Sequence, residues 1–459
     1  MVLVLVLVAS SLSVSTATSL VTLVGVSRPN IVVLMLDDMP PEPRLIERMP
    51  FTSAFLADGV SFSNYYGNDP LCCPGRAAFL SGQYSHHHGQ IDNDGTRFDP
   101  TITLATRLQD AGYWTAMAGK YLNGLSEIPD KTPPGWDRLA VTAGRYYDYQ
   151  LWRDGAVEDH GSAPEDYSTD VISDAAARIL RDAPAGKPIY LQITPFAPHS
   201  GSPDALPTVA PRHVTDPRCK GIGVRGGPAY NESDMSDKPA FLQEQPLQPY
   251  PTGWPLIRAC RALLSVDEMV ARVAGLLAEQ GRLDETLFLL TADNGMAWGD
   301  HRWQTKQIAY ATPLPLYVRW PGDQRAGTMT TYVTNVDLAP SLAAVAGTSM
   351  GVLANGRPPD GLDISRLFSG RGSLGRTALL EERSAIGQGG QLPDGPGWRA
   401  IRTTDKHALG RWHYIEWADG STELYDAQRD PYELRSRNGA AFEQIRATLA
   451  AELEALYGD

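Results

Sequence analysis

Cys72 stands two residues ahead of Pro74 and four ahead of Arg76, in the run Leu71-Cys72-Cys73-Pro74-Gly75-Arg76-Ala77-Ala78-Phe79-Leu80-Ser81-Gly82. Proline suits the first turn of a helix because its missing N–H has no partner there anyway, so the run reads as a helix starting at Cys72. The free N–H groups and the dipole of a helix start favour an anion. A reactive cysteine fits that position, and so does a merely buried one. Two polar pairs, Asp37-Asp38 and Asp293-Asn294, each follow an apolar run. Three carboxylates and an amide oxygen make an all-oxygen donor set, suited to a hard cation such as Ca²⁺ or Mg²⁺ and not to zinc. One acidic pair alone reads as a helix cap or a surface turn; the second pair at another strand end shifts the reading to a metal. Lys120 and His199 also follow apolar runs, and Lys306 comes five residues after His301. A lone lysine is usually solvated and a lone histidine often structural, so these gain meaning only as a group.

The elements that must position them are legible as a pattern. Residues 31–36 (Ile-Val-Val-Leu-Met-Leu) are apolar without alternation, as in a parallel strand covered on both faces. The same kind of run recurs at 114–118, 188–194 and 286–291. Helical spacing separates these runs, at 102–111, at 171–180, and in the stripe Leu263, Val266, Val270, Val273 and Leu277 closed by Gly281. Alternating helices and buried strands predict an α/β fold with a mainly parallel sheet sandwiched by helices. In such sheets the ligand site lies beyond the carboxyl ends of the strands. Here those ends carry Asp37, Asp38, Lys120, His199, Asp293 and Asn294.

The Cys-x-Pro-x-Arg run with its later Ser81-Gly82 resembles the signature of the type I, formylglycine-dependent sulfatases of the alkaline phosphatase superfamily. The resemblance implies an alkaline phosphatase-like fold and oxidation of Cys72 to formylglycine by a formylglycine-generating enzyme. The hydrate of that aldehyde would be the nucleophile, with Arg76 holding it in place. Asp37, Asp38, Asp293 and Asn294, with residue 72, then match the family's ligands for Ca²⁺, or Mg²⁺. Lys120 in Gly119-Lys120-Tyr121, and Lys306 in Gly299-Asp300-His301-x4-Lys306-x3-Tyr310, match the lysines that contact sulfate. His199 in Pro195-Phe196-Ala197-Pro198-His199 matches the histidine near the leaving oxygen. Two positions depart from the pattern: Leu122 stands where many members have a histidine, and Ala311 where many have a glutamate. The first departure leaves His199, His301 and Lys306 as candidates for the base of the elimination step. Gly119-Lys120-Tyr121-Leu122-Asn123, the double cysteine and Leu264-Ser265-Val266-Asp267 are similar to the N-acetylglucosamine-6-sulfatase branch. The implied substrate is a sulfated small molecule or glycan. The alternatives are a phosphonate or phosphate-ester hydrolase of the same superfamily, and a non-catalytic sulfated-glycan binder with Cys72 unmodified. His86-His87-His88 reads as the rim of the pocket.

The rest of the chain sets the boundaries. With 459 residues, 42% hydrophobic and 20% charged, the chain is neither disordered nor fibrous. A net charge of −13 argues against a general nucleic-acid or anionic-membrane partner. Only seven lysines occur, so those at strand ends stand out. Residues 1–27 read as a signal peptide or a tail. The apolar run there stops short of the ~20 residues that a stable membrane span needs. Secretion or a periplasmic location is expected, with the cytoplasm left open. Cys219 and Cys260 are a disulfide pair if the protein is exported and buried thiols otherwise. A catalytic domain is expected over 28–370, with a Pro- and Gly-rich insertion over 203–255 placed near the site. A small C-terminal subdomain of antiparallel sheet plus helix is expected over 371–459, after an irregular stretch at 370–397.

Overall fold

The computed structural model describes residues 28–124, 132–201, 205–247, 254–322, 324–384 and 395–458. The proposed signal segment and residues 202–204 and 248–253 of the insertion lie outside them. Four strands form the heart of the chain: Asn30–Leu36, Trp114–Lys120, Ile189–Thr194 and Thr286–Ala292. Every residue in all four is buried, which requires both faces of the sheet to be covered. They belong to a ten-stranded sheet, in which the order across the middle is Thr286–Ala292, Asn30–Leu36, Ile189–Thr194, Trp114–Lys120 and Arg138–Thr142, all parallel. Short strands add antiparallel edges on both sides.

Register decides which strand ends meet. Leu36 pairs with Ala292, so Asp37 and Asp293 leave the sheet side by side. Gly119 pairs with Thr194, so Lys120 emerges beside the turn that leads to His199. Gly119 has φ +117°, and an ideal Cβ there would lie 2.2 Å from the Thr194 carbonyl oxygen, so only glycine permits this approach.

Helix Leu256–Glu279 buries the expected stripe of Leu263, Val266, Val270, Val273 and Leu277, and packs on helix Ser168–Asp182. Its first turns extend beyond the apolar stripe, and Cys260 there is disulfide-bonded to Cys219, anchoring the insertion. Helix Cys72–Ser81 is buried along all ten residues and packs against helices Leu104–Asp110 and Leu338–Val345.

A second sheet is antiparallel, in the order Ala378–Arg383, Trp398–Thr403, Trp412–Trp417 and Thr422–Asp426. Strand alternation sends Ile401, Trp412, Tyr414 and Leu424 to one face, against Leu449 and Leu453 of helix Glu443–Gly458. Trp398, Ala400, Ile415, Trp417 and Tyr425 face the other way, against Trp303, Ile308 and Tyr310. The loop that carries His301 and Lys306 is therefore backed by this sheet. Strand Ala378–Arg383 corrects the expectation of an irregular stretch over 370–397. Its sequence, Ala-Leu-Leu-Glu-Glu-Arg, hides the strand because Glu381, Glu382 and Arg383 are buried and partnered, Glu381 by Arg402 at 2.7 Å and Glu382 by His86 at 2.9 Å.

Candidate active site

Helix Cys72–Ser81 points its first residue at the carboxyl ends of the central strands. The helix start can come this close because position 75 is glycine: an ideal Cβ there would lie 2.1 Å from the Asp293 carbonyl oxygen. Cys72 is 1% exposed, with Sγ 3.6 Å from Asp37 Oδ1 and 3.9 Å from Asp38 Oδ1. Lys306 Nζ lies 2.7 Å from the same sulfur and also pairs with Asp38 Oδ1. Lys120 Nζ donates to Asp37 Oδ2 at 2.6 Å. Arg76 reaches Asp293 Oδ2 at 2.9 Å through Nε, lies 3.3 Å from Asp37 Oδ2, and donates to the Lys120 carbonyl at 2.5 Å. Asn294 Nδ2 donates to Asp38 Oδ1 at 2.8 Å, and the Asp38 amide donates to Asp293 Oδ1 at 3.1 Å.

His199 enters from the turn after Ile189–Thr194. Its Nδ1 lies 2.7 Å from the Ser200 carbonyl, which can only accept, so Nδ1 carries a proton and Nε2 faces Asp38 Oδ2 at 3.3 Å. Its ring stacks on Phe196 at 4.4 Å, and the ammonium of Lys120 lies 5.4 Å from the centre of the same ring. Phe196 thus shapes the wall between the two, a role its place in the motif did not reveal.

The charges explain one another. Burial opposes ionisation of Asp37, yet Lys120, His199, Arg76 and Lys306 together hold its carboxyl well below the ordinary range. Asp38 is likewise lowered, by His199 and Lys306 against its own burial. Asp293 is pushed up to about 6 by burial and by the neighbouring Asp37, in spite of Arg76. The rise of Asp293 beside Asp37 marks buried carboxylates crowded against one another, a repulsion that a bound cation relieves. Asp37, Asp38, Cys72 and His199 offer ligand atoms that all lie within 4.8 Å of one another. The Cys72 thiol itself is raised far above its usual range, burial outweighing the two lysines, so an unmodified cysteine here is protonated and a poor nucleophile.

Among the described residues His301 hydrogen-bonds none of the groups around Cys72; its Nδ1 is held at 2.7 Å by Glu232, from the insertion. Glu232 carried no signal beyond its place in Asn231-Glu232-Ser233, the chain's one glycosylation sequon. The triple histidine is not a rim. It follows the far end of helix Cys72–Ser81 from Cys72, where His86 pairs with Glu382 and His87 with Asp360, each at 2.9 Å. Burial lowers the His88 imidazole to about 3, so it stays neutral. Pairing with carboxylates of later segments, invisible in a local run of histidines, decided their place.

Buried carboxylates, two lysines and a helix start converge on one side chain, an arrangement suited to a small anionic ligand and to a hard cation. The chain belongs to the sulfatase family, whose model matches residues 29–348, and is a sulfuric ester hydrolase. It is similar to an arylsulfatase of Volvox carteri, 30% identical over 500 residues, covering 94% of this chain and 74% of that protein. An N-acetylglucosamine-6-O-sulfatase of Bacteroides thetaiotaomicron is 27% identical over 494 residues, covering 90% of this chain and 83% of the other. Among solved structures, BT4656 in complex with its substrate D-glucosamine-2-N,6-O-disulfate superposes with a TM-score of 0.74 at 24% identity, covering 94% of this chain and 98% of the other. That likeness establishes the alkaline phosphatase-like fold.

Proposed function

We propose that the protein cleaves the S–O bond of sulfate monoesters with the hydrate of formylglycine at position 72 as nucleophile. The observation that carries the reading is Cys72 at the start of its helix, in contact distance of Asp37, Asp38 and Lys306, with Pro74 and Arg76 in the spacing that marks the modification. Asp37, Asp38, Asp293, Asn294 and residue 72 would hold a divalent cation, Ca²⁺ or Mg²⁺. When bound it supplies charge stabilisation to the sulfate oxygens.

Lys120 and Lys306 neutralise the remaining sulfate charge as one hydroxyl of the hydrate gives up its proton, through the carboxylates of Asp37 and Asp38 beside it and on to solvent, and its oxygen attacks sulfur. Arg76, fixed between Asp293 and Asp37, keeps the helix start in register with the strand ends. The ester oxygen leaves as the alcohol, taking the Nε2 proton of His199 in its doubly protonated form, in which Nε2–H faces Asp38 and Nδ1–H stays on the Ser200 carbonyl. The sulfate is then covalently attached to residue 72. A base removes the proton of the second hydroxyl, the C–O bond to sulfate breaks, and the aldehyde returns; water restores the hydrate. Lys306 is held firmly as a cation, since Asp38 and its other anionic neighbours outweigh its burial, which disfavours it as that base. His199, neutral after giving up its proton and facing the cluster through Nε2, is the base that remains there.

The reading includes maturation by a formylglycine-generating enzyme and export. The Cys219–Cys260 disulfide supports an oxidising compartment, and among the described residues no helix is long and apolar enough to cross a membrane. The N-acetylglucosamine-6-O-sulfatase relative favours a 6-O-sulfated glucosamine or a related sulfated glycan. The test is turnover of a panel of sulfated sugars beside an aryl sulfate and a matched aryl phosphonate. Preferential release from 6-sulfated N-acetylglucosamine is expected. Release from the aryl sulfate alone overturns the glycan assignment, and preference for the phosphonate overturns the sulfatase reading.

A further inference from the structure

The insertion supplies one buried carboxylate that the reaction above does not use. Glu232 is 6% exposed, and its Oε2 lies 2.7 Å from His301 Nδ1. A carboxylate can only accept, so the contact places a proton on Nδ1 and leaves Nε2 as the free end of the ring. No described residue bonds that Nε2. The buried ammonium of Lys238 stands 3.7 Å from Glu232 Oε1 and supplies a countercharge from the far side.

The backbone around this pair is clamped as tightly as the pair itself. The His301 amide donates to the Ala229 carbonyl and the Asn231 amide to the Gly299 carbonyl, both at 2.8 Å. Arg302 Nε donates to the Glu232 carbonyl at 2.7 Å, and its Nη2 to the Ser233 carbonyl at 2.8 Å. His301 and Arg302 both hold left-handed backbone, with φ of 50° and 59°. Non-glycine residues stay there only when their surroundings over-determine them, a condition that gathers at functional sites. Behind the ring, Tyr310 packs at 4.1 Å. Five residues on, the same loop delivers Lys306 to Cys72.

We propose that Glu232 is a positioning residue. It fixes the tautomer and direction of the His301 imidazole so that Nε2 is presented, as an acceptor, to the hydroxyl-bearing part of the sulfate ester bound beside Lys306. The arrangement is the nucleophile–base–orienter logic applied to a binding histidine, with the carboxylate as orienter. This rests on the sulfatase reading for the ligand, and its geometry can be tested without any turnover.

In uniformly folded protein labelled with ¹⁵N-histidine, and with His301 assigned by loss of its signals in His301→Ala, the wild type should show the Nδ1–H tautomer. Glu232→Ala should show a mixture of tautomers, and Glu232→Gln, which keeps an acceptor, should restore Nδ1–H. On a 6-sulfated sugar, Glu232→Ala should lower kcat/KM about tenfold, mainly through KM, with Glu232→Gln recovering most of it. Glu232→Ala combined with His301→Ala should be no worse than His301→Ala alone. An Nε2–H tautomer in the wild type, or identical tautomers in wild type and Glu232→Ala, overturns the proposal whatever the enzyme turns over. So does additivity of the two substitutions, or wild-type kcat/KM in Glu232→Ala.

Discussion

Replacing Glu423 by glutamine should remove a loss of stability that the wild type suffers as pH rises. Glu423 lies fully buried in strand Thr422–Asp426, on the sheet that backs the catalytic loop. The hydroxyls of Tyr310 and Tyr425 both donate to its Oε2, the second at 3.0 Å, while its Oε1 has no partner. Burial pushes the carboxyl up from 4.5 to about 8, although Lys238 and the two tyrosine hydroxyls pull it down. The unfolded chain releases this proton near pH 4.5, and the folded protein keeps it until about pH 8. The folded state therefore holds the extra proton in that window. Its stability from this group is full below the unfolded value and falls as pH rises. Each pH unit costs about 1.4 kcal/mol, so about 3 kcal/mol is lost by pH 7, and about 5 kcal/mol once the folded group ionises too. Glutamine keeps an acceptor for the tyrosines and does not titrate, so whatever it costs, it costs equally at every pH. Urea unfolding of both proteins at about pH 5 and about pH 8.5 should show the variant gaining about 4 kcal/mol on the wild type between the two. Parallel pH dependence would refute the raised carboxyl, and with it the picture of an uncharged Glu423 behind Tyr310.

The tryptic peptide that carries residue 72 should be about 18 Da lighter than its cysteine form, whereas the ordinary oxidations of cysteine all add oxygen; Cys72→Ala should fold and be inactive, and Cys73→Ser should retain turnover. Lys120→Met removes a sulfate contact and should cost about 10²–10³ in kcat; steady-state kinetics showing a loss under threefold would remove Lys120 from the reaction. Arg402 is buried and bonds Glu381 at 2.7 Å, Glu433 at 2.9 Å and His413 at 2.9 Å, so Arg402→Met should destabilise the fold by about 3–5 kcal/mol in denaturant unfolding, by stranding two carboxylates.

The strand ends were legible because parallel strands buried on both faces must be apolar throughout, so a polar residue at their exit stands out. Asp37, Lys120, His199 and Asp293 were found this way, and the register of Leu36 with Ala292 and of Gly119 with Thr194 then brings them together. Cys72 is legible through the resemblance of its Cys-x-Pro-x-Arg run to the sulfatase signature, whereas the reason for Gly75, the close approach of the helix to Asp293, appears only in the fold. What the sequence hid is held by partners far along the chain. Strand Ala378–Arg383 escapes a periodicity search because Glu381 and Glu382 are buried as acceptors, satisfied by Arg402 and His86. The histidines at 86–88 look like a surface tract until the carboxylates of Glu382 and Asp360 arrive, 296 and 273 residues later. Glu232 sits in a stretch without period, and its meaning depends on a loop 69 residues away. Apolar burial writes its pattern locally, one face at a time, whereas the pairing of a buried charge is settled only when the fold closes. In this protein the first kind of signal builds the reaction centre, and the second builds the sheet and the clamp that hold its last loop in place.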